Sequence, residues 1–312
     1  MALSAQARSR VASFVTNDLW AGAPHSVDYF GGIIGGEEPS RYSLSPRLWN
    51  SFFRHIGVAG FFSALDLPQA EALPDFLACL VELPECVDIT VTSPYKAAAC
   101  DCLERLPPGA RVTDRVQRLH CLNHIIADHG SGTLHVDNTD GQGMIRALQK
   151  RRRLQNARVL LVGAGGAAAS IGHELAVAGA ELTIANIVAE DANALKLLLE
   201  PLQTGRAGIR AGGWELIEAA ANSSDIIISA ITESTPLTES QLDRLPGHCL
   251  CADTRYGANG AFAQAAKRAG RQWIDGREML FGQFQLAAER VAALLKVDPR
   301  PAFNAIERVF IA

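Results

Sequence analysis

The sequence predicts an α/β protein of two domains, with a doubly wound parallel sheet in the second half. Length is the first indication, because 312 residues is about twice the size of an average domain. Alternation is the second, since short apolar segments and helical segments follow one another after residue 157, as in βαβ units. The third is the apolar run at 158–162, Arg-Val-Leu-Leu-Val, because uninterrupted apolar strands are typical of sheets buried on both faces.

Strands and helices also alternate in the first half of the chain. Segment 87–92 is rich in β-branched residues, which favours a strand, and Pro94 ends it. Segment 46–56 places Leu48, Phe52 and Phe53 on one side of a helix. We predict helices over residues 5–14, 46–56, 67–81 and 96–106, strands over 32–35, 61–65, 87–92, 119–126 and 133–136, and turns at 107–109 and 128–132.

The second half repeats a strand followed by a helix. Its strands are short and apolar, with Ile226, Ile227 and Ile228 as the clearest example. We predict strands over 158–162, 181–185, 225–229, 248–252 and 272–274, and helices over 167–178, 190–199, 261–269 and 277–296.

Composition and charge exclude several classes of protein. The net charge of −4 argues against nucleic acid as the main partner, because a phosphate-binding face needs a basic excess. No apolar run approaches the roughly 20 residues of a membrane-spanning helix. Arg8 and Arg10 interrupt any signal-peptide core. We therefore expect a cytoplasmic protein that contacts neither nucleic acid nor membrane.

The seven cysteines do not indicate a disulfide framework, because their number is odd and the chain is large. Cys100 with Cys102 and Cys249 with Cys251 could be imagined as metal ligands. Structural zinc sites, however, use a wider spacing and a second pair or histidines. Residues two apart share one face of a strand, so Cys249 and Cys251 fit a packed core. We expect buried free thiols and no metal site.

Glycines follow the first strand of the second half directly. Gly163, Ala164, Gly165, Gly166 and Ala167 connect this strand to a helix. In that context Gly163 can make a tight turn, Gly165 lets the backbone approach a pyrophosphate, and the helix N-terminus offers free N–H donors. A tight turn without a ligand is the alternative. We predict a Rossmann-type dinucleotide site.

The end of the next strand indicates which dinucleotide binds. A carboxylate there favours NAD, and an arginine favours NADP. The chain has Asn186 followed by Ile187, with neither an acid nor an arginine at the expected place. Asn186 can still hydrogen-bond a ribose hydroxyl, and nothing beside it balances a 2′-phosphate. The cofactor is therefore NAD or NADP, and the residues favour NAD.

Three polar segments of the first half could carry chemistry. Ser43 and Ser45 could direct two hydroxyls at a carboxylate, or Ser45 could cap a helix. Lys96 follows a strand and a proline turn, where partial burial would lower its pKa toward neutrality; a surface lysine is the alternative. Asp140 lies at the start of a predicted helix. It could cap that helix, with the neighbouring glycines bending the chain, or it could be a partner of Lys96.

A basic run at 149–153, Gln-Lys-Arg-Arg-Arg, marks a change in composition. A solvated helix end before the second domain explains it, because positive charge complements a helix C-terminus. A patch that binds an anionic ligand is the alternative.

Taken together, these segments resemble the shikimate dehydrogenases. That family has a Ser-x-Ser-Pro turn, a Thr-x-Pro-x-Lys turn, an Asn-Thr-Asp-Gly segment and a G-x-G-G loop, and the chain has all four in that order. Further similarities are Asn123, Asp253 with Tyr256, and the segment 275–283. The resemblance covers roughly residues 32–295.

The resemblance implies a role for each matching residue. Ser43 and Ser45 would hold the substrate carboxylate, and Lys96 and Asp140 would be the catalytic pair. The other implied contacts are with ring hydroxyls (Thr92, Asn123, Gln283), the pocket wall (Tyr256) and the cofactor (Gly163, Ala164, Gly165, Gly166, Ala167, Asn186, Ile187).

The chain also departs from the family pattern. The family usually has Asn where this chain has Thr90, Thr where it has His124, and often Gly where it has Glu278. Arginines of the family's NADP-binding form have no counterpart at Ile187 and Ala169. These departures leave open the ring substituents of the substrate and the choice of cofactor.

The implied function is the interconversion of 3-dehydroshikimate and shikimate by hydride transfer, a step of aromatic amino acid biosynthesis by the chorismate pathway. Two alternatives stay open: an NAD-dependent quinate/shikimate dehydrogenase, and a cofactor-sensing regulatory relative without turnover. The substrate would be a hydroxylated cyclohexene or cyclohexane carboxylate, and the protein a monomer or homodimer. We expect residues 1–141 with 278–312 to bind the substrate and 142–277 to bind the dinucleotide.

Overall fold

The chain forms two compact units. The computed structural model describes residues 3–106, 109–203, 208–231, 235–257 and 260–311. The first unit consists of Met1–Thr139 and Phe284–Ala312, and the second unit of Asp140–Gln283. Both units are α/β, so the predicted fold class is confirmed. The predicted domain boundaries lie a few residues away from those of the two units.

Helices and strands alternate along most of the described chain. The helices are α1 (Ala5–Ala12), α2 (Pro39–Tyr42), α3 (Ser45–Ile56), α4 (Leu73–Glu82), α5 (Lys96–Asp101), α6 (Asp114–Leu119), α7 (Asp140–Gln149), α8 (Gly166–Val177), α9 (Ala189–Leu199), α10 (Leu216–Ala221), α11 (Glu239–Asp243), α12 (Ala261–Arg268), α13 (Gly276–Leu295) and α14 (Arg300–Phe310). The strands are β1 (Tyr29–Gly35), β2 (Gly60–Asp66), β3 (Cys86–Val91), β4 (Arg111–Val112), β5 (His124–Asp128), β6 (Thr133–Asp137), β7 (Arg158–Val162), β8 (Glu181–Ala185), β9 (Ile209–Gly212), β10 (Ile226–Ser229), β11 (Leu250–Asp253) and β12 (Gln272–Ile274).

The sheet of the first unit is mixed. Its strand order is β2-β1-β3-β5-β6-β4. Strand β1 is parallel to β2 and β3, whereas β5 is antiparallel to both β3 and β6, and β4 is parallel to β6. The start of β5 therefore lies at the same edge as the carboxyl ends of the other strands. We call this the carboxyl edge of the first sheet.

An aromatic cluster joins α3 to the last two helices within the first unit. Trp49 stacks on Phe62 with ring centroids 5.4 Å apart and meets Phe284 edge-on at 5.3 Å. Phe52 stacks on Phe303 at 5.8 Å. Because four of these five rings are 2% exposed or less, and Phe303 only 6%, the segment after residue 283 completes the core of the first unit.

The sheet of the second unit is parallel throughout its described strands. Its order is β12-β11-β10-β7-β8-β9. Counted from its own first strand, this is the doubly wound order 3-2-1-4-5-6. The order reverses between β7 and β10, and ligands of such sheets bind outside the carboxyl ends of the strands at that point. The predicted doubly wound sheet is confirmed.

Some predicted elements were wrong or incomplete. The strand predicted over 119–126 is replaced by α6, a left-handed residue at His120 with φ of 47°, and a later strand that begins at His124. The helices predicted over 67–81 and 96–106 are shorter, because each lies next to a 3-10 turn. The elements that were not predicted are the short or edge elements α2, β4, β9, α10 and α11, and the C-terminal helix α14. The predicted turn at 107–109 lies partly outside the described residues.

The seven cysteines are free and buried, as predicted. Burial raises the pKa of the Cys100 thiol to about 12, so this side chain stays neutral and packs as a small apolar group. Within the described ranges, no helix is both long and apolar enough to span a bilayer.

Candidate active site

The predicted site residues of the first unit lie at the carboxyl edge of its sheet. The turn 43–45 follows β1 by way of α2, Thr92 and Lys96 follow β3, and Asn123 immediately precedes β5. Three segments that are far apart in sequence therefore reach the same edge. The structure brings together the first-unit residues to which the resemblance assigns substrate contacts.

Backbone hydrogen bonds fix these segments to one another. The N–H of Thr92 donates to the carbonyl of Ile34 at 2.9 Å, at the end of β1. The carbonyl of Lys96 accepts from the N–H of Leu122 at 3.1 Å, directly before Asn123. These hydrogen bonds hold the Lys96 turn against the segment that leads into β5, and the Thr92 turn against the end of β1.

The serine pair lies at the start of α3, but its arrangement differs from the alternative prediction that Ser45 caps this helix. Leu44 is the N-cap, without a side-chain cap hydrogen bond, and the Ser43 hydroxyl accepts from the N–H of Ser45 at 3.2 Å. The interpretation of Ser45 as the N-cap is therefore wrong, because the helix already includes it. Ser45 is 6% exposed at the positive end of a 12-residue helix, where a carboxylate is favoured.

Two further residues position this turn, and sequence reasoning missed both. The Asp66 carboxylate, at the end of β2, accepts from the N–H of Ser40 at 2.9 Å and from its hydroxyl. A side-chain hydrogen bond joins Tyr42 to Thr92. Burial raises the pKa of the Tyr42 phenol, although this hydrogen bond lowers it in part. The position of Tyr42 directly before the serine pair was the sequence signal that could have identified it.

Asn123 is held by the segment that leads to Asp140. Its Oδ1 accepts from the N–H of Thr139 at 2.8 Å, and its Nδ2 donates to the Thr139 hydroxyl at 3.2 Å. The Asn138 Nδ2 donates to the carbonyl of Cys121 at 3.0 Å. With Asn123 only 1% exposed, these contacts fix the amide in a single orientation.

Asp140 begins α7 in the second unit, and the glycines after it allow close helix packing. A Cβ on Gly141 would lie 2.0 Å from the Ser170 carbonyl oxygen, and one on Gly143 would lie 2.8 Å from the N atom of Gln283. The hypothesis that these glycines bend the chain is therefore wrong, because both lie inside the helix. Their role is to bring α7 against α8 and α13, which places Gln283 beside the first turn of α7.

The glycine loop lies where the strand order of the second sheet reverses. Gly163 has φ of +116°, and a Cβ there would lie 2.7 Å from the Ala230 carbonyl oxygen, so this turn requires glycine. Gly165 has φ of −75°, and a Cβ there would meet no atom within 4 Å. Packing does not explain Gly165, whereas the approach of a pyrophosphate would. Gly166 begins α8, whose first N–H groups have no acceptor within the helix. The flanking loop residues are half-buried: Ala164 and Ala167.

The loop after β8 carries the two residues predicted near the adenosine ribose. Asn186 Nδ2 donates to the carbonyl of Val188 at 3.1 Å and to the Asp191 carboxylate at 3.3 Å. Ile187 projects outward and is 75% exposed. The loop therefore presents an apolar side chain and a nearby carboxylate.

Tyr256 lies in the loop between β11 and α12 and is half-buried. The buried carboxylate of Asp253 holds this loop, because it accepts from the N–H groups of Arg255 at 2.9 Å and Phe262 at 3.0 Å. Burial raises the pKa of Asp253, and these hydrogen bonds oppose the rise. Gly276 packs on the same loop, since its N–H donates to the Arg255 carbonyl at 2.9 Å.

The basic run after α7 has partners within the second unit. Arg151 makes two hydrogen bonds to the Glu278 carboxylate, at 2.7 and 3.0 Å. Arg152 donates to the carbonyl of His248 at 2.6 Å and to Gln272 Oε1 at 2.7 Å. The acidic residue at 278, a departure from the family pattern, is therefore neutralised by a bidentate arginine.

Comparison with protein-family models gives two matches. Residues 34–116 match the shikimate dehydrogenase substrate binding domain. Residues 146–246 match the family described as shikimate / quinate 5-dehydrogenase. The first match lies within the first unit and the second within the second unit.

Individual proteins are similar over nearly the whole chain. A shikimate dehydrogenase (NADP(+)) of Symbiobacterium thermophilum is 30% identical over 293 residues, which is 86% of this chain and 95% of that protein. A solved shikimate dehydrogenase in complex with NADP+ has a TM-score of 0.73 at 24% identity and covers 90% of this chain and 96% of its own. Quinate dehydrogenase from Corynebacterium glutamicum in complex with NAD has a TM-score of 0.72 at 21% identity, covering 89% and 98%. The last two likenesses show the fold.

Proposed function

Because the chain belongs to the shikimate dehydrogenase family, we propose that it interconverts shikimate and 3-dehydroshikimate with the residues at the carboxyl edge of its first sheet. As a member of that family, it is an oxidoreductase that acts on a CH–OH group and uses a nicotinamide cofactor. The observation that carries the proposal is the convergence of the serine turn, Thr92, Lys96 and Asn123 at one sheet edge.

Each side chain has a proposed task that fits its surroundings. Ser43 and Ser45 bind the substrate carboxylate, assisted by the positive end of α3. Thr92 and Asn123 hydrogen-bond ring hydroxyls, and both are oriented by neighbours, Thr92 by Tyr42 and Asn123 by Thr139. In the second unit, the proposed roles are a hydrogen bond of Gln283 to a ring hydroxyl and a contact of Tyr256 with the substrate.

Lys96 and Asp140 are the proposed acid/base pair. Oxidation removes a hydride from the ring carbon and a proton from its hydroxyl, and a secondary alcohol does not lose that proton unaided near neutral pH. Lys96 takes the proton from the hydroxyl oxygen, and in the reverse direction returns it to the ketone oxygen. The proposed role of Asp140 is a hydrogen bond to the reacting hydroxyl, which assists this proton transfer. When bound, a nicotinamide cofactor supplies the hydride acceptor.

Replacing the acid/base pair gives the largest effect on turnover. We expect Lys96→Ala and Asp140→Asn each to lower kcat by about 10²–10⁴-fold, the usual contribution of general acid/base catalysis. NAD(P)H absorbance at 340 nm measures turnover, and calorimetry measures cofactor binding, which should be unchanged. Lys196→Ala, which removes a half-buried lysine paired with Glu200 in the second unit, is the matched control. Near-native kcat in either variant would remove that residue from the proposed pair.

The second unit fits a dinucleotide, and we propose NAD as the preferred form. The open side of Gly165 and the N-terminus of α8 suit a pyrophosphate. Residues 186–195 contain no lysine or arginine, and Asp191 brings a negative charge to the Asn186 amide. A 2′-phosphate would therefore meet a carboxylate instead of a cation, although curated relatives carry NADP(+) in their names.

A single introduced positive charge tests this preference. Wild-type protein is assayed with shikimate and with quinate, each with NAD and with NADP, and we expect the higher kcat/KM with NAD. Ile187→Arg should raise the NADP-to-NAD ratio of kcat/KM by roughly tenfold, because one charge-assisted contact to phosphate contributes about 1.5–3 kcal/mol before solvent screening. Ile187→Gln is the uncharged control. A wild-type preference for NADP would contradict the proposal, and binding without turnover in all four assays would indicate the regulatory alternative.

We further propose that the protein acts in the cytoplasm as a monomer or homodimer. The free thiols fit a reducing compartment. Size-exclusion chromatography with light scattering measures the oligomeric state.

A further inference from the structure

A buried histidine and aspartate face each other in the first sheet, next to the proposed substrate contacts. Asp88 lies on β3 with its side chain 0% exposed, and His124 begins β5 with its side chain 3% exposed. The Nδ1 atom of His124 is 2.9 Å from Asp88 Oδ1. Thr90 donates to the other carboxylate oxygen at 3.0 Å and lies 3.4 Å from the same Nδ1.

The register places this cluster beside two proposed ring-hydroxyl contacts. His124 pairs directly with Thr90 across the antiparallel strands β3 and β5. Thr92 comes two residues after Thr90, on the same face, and is the diagonal neighbour of His124, roughly 7–8 Å away between Cα atoms. Asn123 immediately precedes His124. The imidazole therefore lies on the sheet face that Thr92 continues toward the carboxyl edge.

The second ring nitrogen is available for a ligand. Among the residues that the structure describes, the hydrogen bonds of the ring all involve Nδ1. In the same part of the chain, His124 Nε2 is not one of the fully enclosed side-chain N and O atoms that lack a hydrogen bond, so Nε2 borders accessible space. In the neutral tautomer whose Nδ1–H donates to Asp88, the ring has a lone pair on Nε2.

A packing role alone explains this arrangement poorly. A buried ionisable pair adds little stability compared with apolar or neutral side chains of similar volume. The family pattern of Asn and Thr at positions 90 and 124 would fill the same place with neutral groups. The Asp–His geometry is instead the one that fixes the tautomer and orientation of an imidazole for contact through Nε2.

We propose that His124 is a specificity-determining residue whose Nε2 accepts a hydrogen bond from a ring hydroxyl of the substrate, with Asp88 and Thr90 as positioning residues. The inference rests on the proposed function and deepens it. The substrate class is a polyhydroxylated ring carboxylate, and an analogue without that hydroxyl leaves Nε2 unsatisfied. Such a loss discriminates more strongly than a change in an apolar contact.

Two polar variants separate the roles of the two ring nitrogens. His124→Asn keeps a polar group near Nδ1, within reach of Asp88, but does not extend to Nε2. His124→Gln keeps a polar group near the Nε2 position. Each is assayed beside wild type with shikimate, quinate and shikimate analogues that each lack one non-reacting ring hydroxyl. Thermal midpoints and NAD affinity, which report on folding and on the second unit, are measured for all three proteins.

The expected result is a selective loss. Wild type should prefer the parent compound over one deoxy analogue by roughly tenfold or more in kcat/KM, mainly through KM. His124→Asn should abolish that one preference, and His124→Gln should retain part of it. A uniform fall for every compound, or unchanged ratios, would overturn the inference and leave the proposed function intact. Absence of wild-type turnover with all compounds would contradict the proposed function and withdraw this inference with it.

Discussion

The two units form their proposed ligand-binding regions in different ways. In the first unit, side chains from separate segments converge at the edge of a mixed sheet: Ser43 and Ser45, Thr92 and Lys96, and Asn123. In the second unit, one continuous backbone loop, 163–167, lies where the order of a parallel sheet reverses. A site formed by one backbone loop can be recognised from a short sequence motif. A site formed by side chains of separate segments depends on the pairing of distant strands.

The first prediction tests whether the last helices belong to the first unit. Phe284→Ala removes a ring that is 2% exposed and packs on Trp49, Phe52 and Phe303. We expect a loss of about 3–5 kcal/mol in the free energy of unfolding, the usual effect of emptying a buried aromatic site. Hydrogen exchange followed by mass spectrometry should show faster exchange in β1–β3 and unchanged protection in β7 and β8.

Two controls accompany that experiment. Phe284→Leu preserves most of the volume and should lose less than about 1.5 kcal/mol. Val309→Ala changes a side chain that is 70% exposed and should have almost no effect. Faster exchange in β7 and β8 as well would mean that the two units do not unfold separately.

The contrast between the units also explains what could be predicted from the sequence. The apolar run at 158–162 and the glycines after it specify their structure locally, so β7, the turn and α8 were predicted closely. Tyr42 and Asp66, in contrast, act through contacts with segments up to 50 positions away. Tyr42 contacts Thr92, and Asp66 contacts Ser40. No local sequence pattern reveals such contacts. Edge strand β9 was missed because only Ile209 of its four residues is buried, which leaves no strand periodicity to detect.

The same limit applies to the site of the first unit. Spacing alone left Ser45 as a cap and Lys96 as a surface residue among the alternatives, and the family resemblance selected between them. The pair Asp88 and His124 lies 36 positions apart and meets only through the β3–β5 register. A cross-strand contact of that kind follows from the fold and not from the composition of either strand.

The second prediction distinguishes a structural glycine from a functional glycine within the loop 163–167. Gly163→Ala should lower the free energy of unfolding by about 1–3 kcal/mol, because φ of +116° strains an L-residue and the new Cβ meets the Ala230 carbonyl. Gly165→Ala should leave stability within about 0.5 kcal/mol, since its Cβ meets nothing within 4 Å. It should instead weaken NAD binding by roughly tenfold or more, because the methyl group occupies the approach of the pyrophosphate.

Thermal unfolding without cofactor and calorimetric titration with NAD distinguish the two variants. The expected pattern is a lower midpoint for Gly163→Ala and a higher Kd for Gly165→Ala. Wild-type NAD affinity in Gly165→Ala would mean that the pyrophosphate does not approach this glycine.

The smallest predicted effect concerns the amino edge of the second sheet, opposite to the glycine loop. Asp225 precedes β10 and accepts from the Arg158 backbone N–H at 2.9 Å, the Arg158 guanidinium at 3.0 Å and His248 at 3.0 Å. Burial alone would raise the pKa of Asp225, but these hydrogen bonds lower it to about 2. Asp225→Asn should therefore reduce the free energy of unfolding at pH 7 by about 1–2 kcal/mol, with turnover unchanged.

The pH dependence gives this prediction its sign. A carboxylate whose pKa is lower in the folded than in the unfolded protein stabilises the fold above the unfolded pKa of about 3.9. That contribution declines as the pH falls through this value toward 2. The stability gap between wild type and Asp225→Asn, measured by denaturant titration, should therefore narrow between pH 6 and pH 3. The exposed Asp243→Asn should show no such gap at either pH. A gap that is constant with pH would mean that Asp225 acts through packing and not through its charge. A loss of turnover would mean that the amino edge of the second sheet also contributes to the reaction.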